Sequence, residues 1–337
     1  MIDSKGTILT GDTPTGKLHI GHYVGTLANR VELQHEYDTY IIIADLHALA
    51  TLSQSPQTIL QHTQDVILDN LAAGLDPDKV TFFIESAIPE LYEIAAFFSM
   101  YVSHNRALRN PTIKDEIKMK GLGDQFSLGF VNYPIFQAAD ILCVKANLVP
   151  VGKDQVAHLE QTRELARKIN EVTRKEIFPI PEALLGSVGK LMGTDGNPKM
   201  GKSLNNTIFL SATDQEIEEK ISQMYTDPKR IHATDPGTVE GNPVFAYLDI
   251  FSNTDEDRKQ ITEYKKRYEE GAVGDVEVKS FLIEVMKRFI TPIRERRKEY
   301  EESPEKIDKI IEKGNTVVRE KTSQTLKELK EGLGFTL

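Results

Sequence analysis

The first half of this 337-residue chain alternates short apolar runs with stretches of helical period. GTILTG (6–11), TYIIIAD (39–45) and KVTFFIES (79–86) read as strands. Between them lie a helix from about Ile20 to His35, the helical pattern QTILQHTQDVILDNLAAGL (57–75) and, after the third run, PELYEIAAFFSMYVSH (89–104). QAADILCV (137–144) and NLVPVG (147–152) follow, and then the helix DQVAHLEQTRELARKIN (154–170). Strands alternating with helices imply a parallel α/β sheet covered on both faces, and such sheets bind ligands at the carboxyl ends of their strands. After about Leu210 the pattern changes to charged, amphipathic helices, so the chain divides into an α/β part and a mostly helical part.

Bulk properties narrow the classes. The net charge of −10 argues against a coat of positive charge that binds nucleic acid indiscriminately. No apolar run reaches the ~18 residues needed to cross a bilayer, and the N-terminus lacks the basic and apolar regions of a secretory signal. A single cysteine, Cys143, excludes an internal disulfide and any zinc or iron–sulfur cluster built on cysteines, and is simplest in a reducing cytoplasm.

GNPKMGKS (196–203) matches the phosphate-cradling pattern of a P-loop ATPase. That loop works only between a buried strand and a helix N-terminus. Upstream, Gly186, Gly189 and Gly193 leave only a short strand near Gly189–Met192. Downstream, Asn205-Asn206 and Thr207–Leu210 read as a turn and an extended segment, and the next long helix starts only at Thr213 and Glu216, a capping-box pair. The context is wrong on both sides.

The first strand runs into TGDTPTGKLHIGHYVG (10–25). Gly11, Gly16 and Gly21 allow tight turns and a close approach by a ligand, and Pro14 fixes the loop. His19 and His22, three apart at a helix start, suit charge developing on a phosphoryl group under attack, without either acting as a base. LHIGH (18–22) resembles the HIGH signature of class I aminoacyl-tRNA synthetases, and KMGKS (199–203) resembles their KMSKS signature, with Gly201 in place of its central serine. The order and spacing suit compact members without a large editing insertion. The resemblance implies a Rossmann-like catalytic domain over 1–210 and a helical, anticodon-binding domain over 211–337 whose last helix can pack back on the first. It implies that Lys199 and Lys202, with Ser203, stabilise the pentavalent phosphate and the leaving pyrophosphate on a loop that closes over ATP and its Mg2+, with no other metal. It places ATP against Gly11, Thr13, Pro14, Thr15, Gly21 and His22, against Gly152, Lys153 and Asp154, and against Leu191, Met200 and Gly201.

The stretch YPIFQAADILCVKANLVPVGKDQVAHLEQTRELARKIN (133–170) resembles tryptophanyl-tRNA synthetases, as do RNPTIKDEI (109–117) and GDVEVKSFL (274–282). Tyrosyl-tRNA synthetases are the nearest competitor. Tyr133, Gln137 and Asp140 share one helix face, a spacing both kinds of site can use. Tyr133 and Gln137 would hold the substrate's α-amino group, and Asp140 would accept from a ring N–H or O–H. Leu9 stands where tyrosine enzymes place a tyrosine, so a phenol would lose one partner at a cost of about 1–3 kcal/mol. An indole needs one acceptor, Asp140, and apolar walls, which Leu9, Val149 and Val151 supply. Gln137 stands where tryptophan enzymes often carry methionine. The resemblance gives Gln155 to the amino acid or adenylate, and His47 follows the second strand at the pocket wall. Asp154 can cap its helix or hold a ribose hydroxyl.

MKRFITPIRERRKEY (286–300) carries Lys287, Arg288, Arg294, Arg296, Arg297 and Lys298, which can meet phosphates or pair with nearby glutamates. The implied partners are L-tryptophan, ATP and tRNA(Trp), with a homodimer and no membrane. The alternatives are a tyrosine ligase on the same fold, a P-loop ATPase, and a non-enzymatic sensor of tRNA or tryptophan.

Overall fold

The computed structural model describes residues 6–120, 123, 126–152, 156–185, 191–227, 230, 232 and 234–335. Five strands, β1 (Thr7–Asp12), β2 (Asp38–Ile43), β3 (Val80–Ile84), β4 (Leu148–Val151) and β5 (Glu182–Leu185), pair in the order β3-β2-β1-β4-β5. Every pair is parallel. The order reverses between β1 and β4, where parallel sheets of this kind open a ligand crevice. β1 is in register with β2 along its whole length, from Thr7 with Asp38 to Asp12 with Ile43. It meets β4 in register at one position, Ile8 with Leu148, so the carboxyl halves of β1 and β4 are not tied by a ladder.

The period of two along each strand divides the core. In β2, Ile41 and Ile43 face one apolar cluster, while Tyr40 and Ile42 face the other. The first cluster takes in the helix Ile59–Ala73 and the helices between residues 210 and 301; the second is built on the helices Pro89–Ser99, Leu128–Cys143 and Val156–Thr173, and the last helix reaches both, through Ile311 and through Val318, Leu326 and Leu329. The expected helix from Ile20 is real but interrupted. It begins as α over Ile20–His22, widens to a π turn over Tyr23–Leu27 and resumes as α over Ala28–Leu33. No strand forms over residues 191–192, and residues 189 and 190 lie outside the described set; the strand on this side is β5, upstream.

The last helix, Pro304–Leu333, lies along the β3 edge. Asn315 accepts the Ile84 N–H at 2.9 Å, Arg319 donates to the Ala87 carbonyl at 2.7 Å and Thr325 to the Cys143 carbonyl at 2.9 Å, so the helix covers an otherwise open edge. Gly314 makes this approach possible: a Cβ there would stand 1.7 Å from the Phe82 carbonyl oxygen. Gly314→Ala is therefore expected to lower stability by about 3 kcal/mol, read as a shift of the urea midpoint.

The basic stretch on the helix Asp275–Glu301 is not a free phosphate-binding face. Lys287 pairs with Glu218, Arg288 with Asp257 at 2.7 Å, Arg294 with Asp214 at 2.8 Å, and Lys298 with Glu302 at 3.7 Å. Arg296 donates to the Ala72 carbonyl at 2.8 Å. Arg297 is buried against Asp65 at 2.7 Å and Asp69 at 2.8 Å, with Glu301 also in contact. The carboxylates responsible come largely from other helices, which the local sequence does not reveal.

Candidate active site

A cleft of about 400 Å3 opens at the carboxyl ends of β1 and β4. Leu9, Ile42, Val149 and Val151 give it apolar walls; Tyr133, Gln137 and Asp140 line it from the helix Leu128–Cys143, and His47 from the helix Asp45–Leu52. Gly11, Thr13 and Gly152 also line it, while Lys153, Asp154 and Gln155 lie outside the described residues. A larger groove, about 960 Å3, lies between the helix Ile59–Ala73 and the junction of the last two helices, but neither signature reaches it. Chemistry rather than volume therefore selects the smaller cleft.

Asp12 and Arg30 fix the end of β1. Arg30, 2% exposed, pairs with Asp12 at 2.6 Å and donates to the Thr10 hydroxyl at 3.1 Å, the Gly11 carbonyl at 2.7 Å and Asn70 at 3.1 Å. Burial pushes the Asp12 carboxyl up, but the Arg30 charge and hydrogen bonds from Arg30 and Asn70 outweigh it and hold the group below the ordinary value. Sequence reading passed over this cluster. The available signal was an arginine on a helix three residues after Leu27, on the buried stripe.

The first signature is built by its own backbone. Gly21 N–H donates to His19 Nδ1 and His19 N–H donates to His22 Nδ1, both at 3.1 Å. A ring nitrogen that accepts carries no proton, so each neutral ring holds its proton on Nε2, available to an anion. Burial and the nearby charges of protonated His22 and Lys202 push His19 down to about 3. Burial, with Lys202 and Arg30, pushes His22 down to about 4, against the pull of Asp12. Both imidazoles are neutral donors at pH 7. The sign for stability follows: a histidine depressed in the fold contributes stability that is present above the unfolded value near 6.5 and lost as pH falls toward 4. Thermal midpoints should fall across that window, less steeply for His22→Gln, and the rate of activation should show no histidine limb between pH 6 and 8.

The second signature docks on the first. Lys202 Nζ donates to the carbonyls of Thr15 and Gly16, each at 3.0 Å, and lies 3.3 Å from the Thr15 hydroxyl. Burial lowers its pKa, against the charges of Asp69, Asp12 and Asp65. Met200 packs over Gly21, where a Cβ would stand 2.8 Å from its sulfur. The extended segment expected after the loop pairs directly with the first signature, Ile20 N–H donating to the Ile208 carbonyl at 3.0 Å and Leu210 N–H to the Leu18 carbonyl at 3.1 Å. Asn206, buried and unassigned by sequence, shapes the loop: it accepts from Gly201 N–H and donates to the Lys199 carbonyl and to Asp195. Lys199 and Ser203 are exposed, Pro14 is buried and Thr15 exposed in the first loop, and Leu191 sits in the core behind the signature. Gly201 has extended backbone, and a Cβ there would find nothing nearer than 4.0 Å, so a serine fits.

This geometry removes the P-loop alternative. Lys202–Leu204 is a single three-residue 3-10 turn, ended by Asn205 in the left-handed region, and presents no helix N-terminus to a phosphate. Gly196, the motif's other glycine, makes a turn with φ +80 against Tyr225. The helix Asp214–Ser222 begins where expected, with the Thr213–Glu216 capping box formed.

Asp140 Oδ1 is buried and has no hydrogen-bond partner among the described residues. Its Oδ2 lies 4.0 Å from His47 Nδ1, which is 2.9 Å from Glu85 Oε1. Glu85, fully buried at the end of β3, also accepts the Leu46 and His47 N–H groups. The other ring nitrogen of His47 faces the Tyr133 carbonyl at 3.3 Å, so both nitrogens meet acceptors and both carry protons. Burial lowers His47, but the Glu85 hydrogen bond and the Asp140 and Glu85 charges bring it up to about 9. Burial and Glu85 raise Asp140 well above its usual range, with His47 opposing. The three side chains bring their ligand atoms within 4.8 Å, yet Glu85 and His47 are engaged with each other, which reads as an ion pair rather than a metal site. Tyr133 lines the cleft with its hydroxyl 3.0 Å from His158 Nε2.

Two neutral imidazoles at the start of the helix that follows the first strand, met by a lysine loop, suit adenylation by a class I aminoacyl-tRNA synthetase. Residues 3–291 match the family of class I tRNA synthetases for W and Y, and the chain belongs to that family. It is 47% identical over 337 residues to a tryptophan–tRNA ligase of Streptococcus agalactiae, covering 98% of each chain, and 48% identical to that of Streptococcus pneumoniae with the same coverage. Among solved structures it is similar to tryptophanyl-tRNA synthetase from Campylobacter jejuni complexed with ADP and tryptophan, at 32% identity and a TM-score of 0.86, covering 97% of this chain and 99% of that one.

Proposed function

We infer that the protein joins L-tryptophan to tRNA(Trp). The carrying observation is Asp140: one buried oxygen without a partner among the described residues, in a cleft where Leu9, Val149 and Val151 supply apolar wall. An indole offers one N–H and apolar faces, so its single polar group meets Asp140 and the rest of the ring meets apolar wall. A phenol oxygen would also need a donor opposite Leu9, which has none to give. The likeness to tryptophan ligases over nearly the whole chain supports the same substrate.

The tryptophan carboxylate attacks the α-phosphorus of ATP, and the bond to the β-phosphate bridging oxygen breaks, giving tryptophanyl-AMP and pyrophosphate. The Nε2–H groups of His19 and His22 donate to the phosphate oxygens, and Lys199 and Lys202 receive the charge that builds on pyrophosphate as the loop closes. Mg2+ travels with ATP. A ribose hydroxyl of the terminal adenosine of tRNA(Trp) then attacks the activated carbonyl, releasing AMP. In this reading residues 1–210 carry catalysis and residues 211–337 meet the tRNA. The assembly is a homodimer in the cytoplasm, and no helix among the described residues is long and apolar enough to cross a membrane. Charging of tRNA(Trp) with labelled tryptophan tests the whole reaction: charged tRNA(Trp) is expected, and charging of tRNA(Tyr) with tyrosine instead contradicts the assignment.

A further inference from the structure

Most of the polar contacts that shape the first signature come from the signature itself or the second loop. Among the described residues, one comes from elsewhere. Leu18 N–H, immediately before His19, donates to Asp69 Oδ2 at 2.6 Å. Asp69 is fully buried on the helix Ile59–Ala73, and its other oxygen accepts from Arg297 Nε at 2.8 Å. Arg297 belongs to the helix Asp275–Glu301, more than two hundred positions away in sequence, and is itself 4% exposed, with Asp65 on its second arm at 2.7 Å. The same long helix touches the signature again by an independent route. Phe289 meets the ring of Tyr23, the residue after His22, edge to face at 4.8 Å. The two imidazoles are thus flanked along the chain by anchored residues, Leu18 held by Asp69 and Tyr23 packed on Phe289.

We propose that Asp69 is a positioning residue through which Arg297, on the long C-terminal helix, sets the placement of His19 and His22 for ATP. The inference rests on the ligase reading above. A guanidinium has a rigid fork that reaches Asp65 and Asp69 together, whereas a lysine presents one point charge and cannot span both. Asp69 does not line the cleft that takes the amino acid, and its bond to the Leu18 N–H leads to the signature, so its influence falls on the phosphate half of the site. A displacement of the signature by about 1 Å costs on the order of 100-fold in rate, and a partial displacement about 10-fold.

The test uses the full-length protein and the variants Arg297→Lys and Asp69→Asn. The amide introduced by Asp69→Asn keeps an oxygen for the Leu18 N–H but loses the charge that orients Arg297. Tryptophan-dependent exchange of pyrophosphate into ATP is measured well below each variant's melting temperature, beside direct tryptophan binding. The chain has no tryptophan of its own, so binding is read from the ligand's own fluorescence with no protein tryptophan signal beneath it. The expected result is a fall in kcat, or a rise in KM for ATP, of about 10-fold in both variants, with tryptophan affinity unchanged. Lower melting temperatures with wild-type kcat and KM would overturn the proposal and leave a purely structural ion pair. Equal losses in tryptophan affinity and ATP kinetics would overturn it as well. Wild-type protein that exchanges with no amino acid sinks the ligase reading and the proposal together, whereas normal wild-type exchange with unaltered variants sinks the proposal alone.

Discussion

Lys202→Ala is expected to slow tryptophan-dependent adenylate formation by about 100- to 1000-fold, the effect of removing one preorganised donor from developing charge. The ammonium is already poised between the two signatures, on the carbonyls of Thr15 and Gly16. Carbonyl oxygens are weaker partners than phosphate, so pyrophosphate in formation can take their place. Tryptophan affinity should change little, because Lys202 does not line the amino-acid cleft. The measurement is single-turnover adenylate formation beside tryptophan binding. A loss of tryptophan affinity equal to the loss of rate would place Lys202 in substrate binding instead.

The second large effect falls on specificity. Asp140→Ala should lower kcat/KM for tryptophan by about 100-fold or more, since it removes the buried acceptor for the one polar group of the ring. A tryptophan analogue with sulfur in place of the ring N–H should lose a similar factor against the wild type and almost nothing against the variant. That double comparison isolates the hydrogen bond from the change in volume. The elevated Asp140 carboxyl adds a pH signature. A raised pKa means the proton is taken up at higher pH than for an ordinary aspartate. As pH falls through that range, Asp140 becomes neutral, so KM for tryptophan should rise on acidification while KM for ATP holds steady.

Local pattern carried much of the fold. The strands at Thr7–Asp12, Asp38–Ile43, Val80–Ile84 and Leu148–Val151 coincide with short apolar runs, and the three long helices after residue 254 with amphipathic ones. What pattern could not carry was anything set by distant partners. β5 at Glu182–Leu185 is four residues with a glutamate, and only its register beside β4 makes it a strand. The short helices Asp45–Leu52, His104–Leu108, Pro111–Lys120 and Pro243–Phe251 lack the length that makes a period stand out. In the site, the signatures were legible because their chemistry is local: HIGH caps itself through its own backbone. Arg30, Glu85 and Asn206 were not, because each is defined by groups it meets only after folding: Asp12 for Arg30, His47 for Glu85, Asp195 and Gly201 for Asn206. The basic run at 286–300 left two readings open for the same reason, since its carboxylates at 65, 69, 214, 218 and 257 come from three other helices.

The most direct measurement is exchange of labelled pyrophosphate into ATP by the wild-type protein without tRNA, with tryptophan and tyrosine in parallel. Exchange with tryptophan and none above background with tyrosine is the expected result, and it assigns Asp140 and Leu9 the reading of the indole. Exchange with tyrosine in place of tryptophan would contradict that assignment while leaving the adenylation chemistry of the two signatures intact.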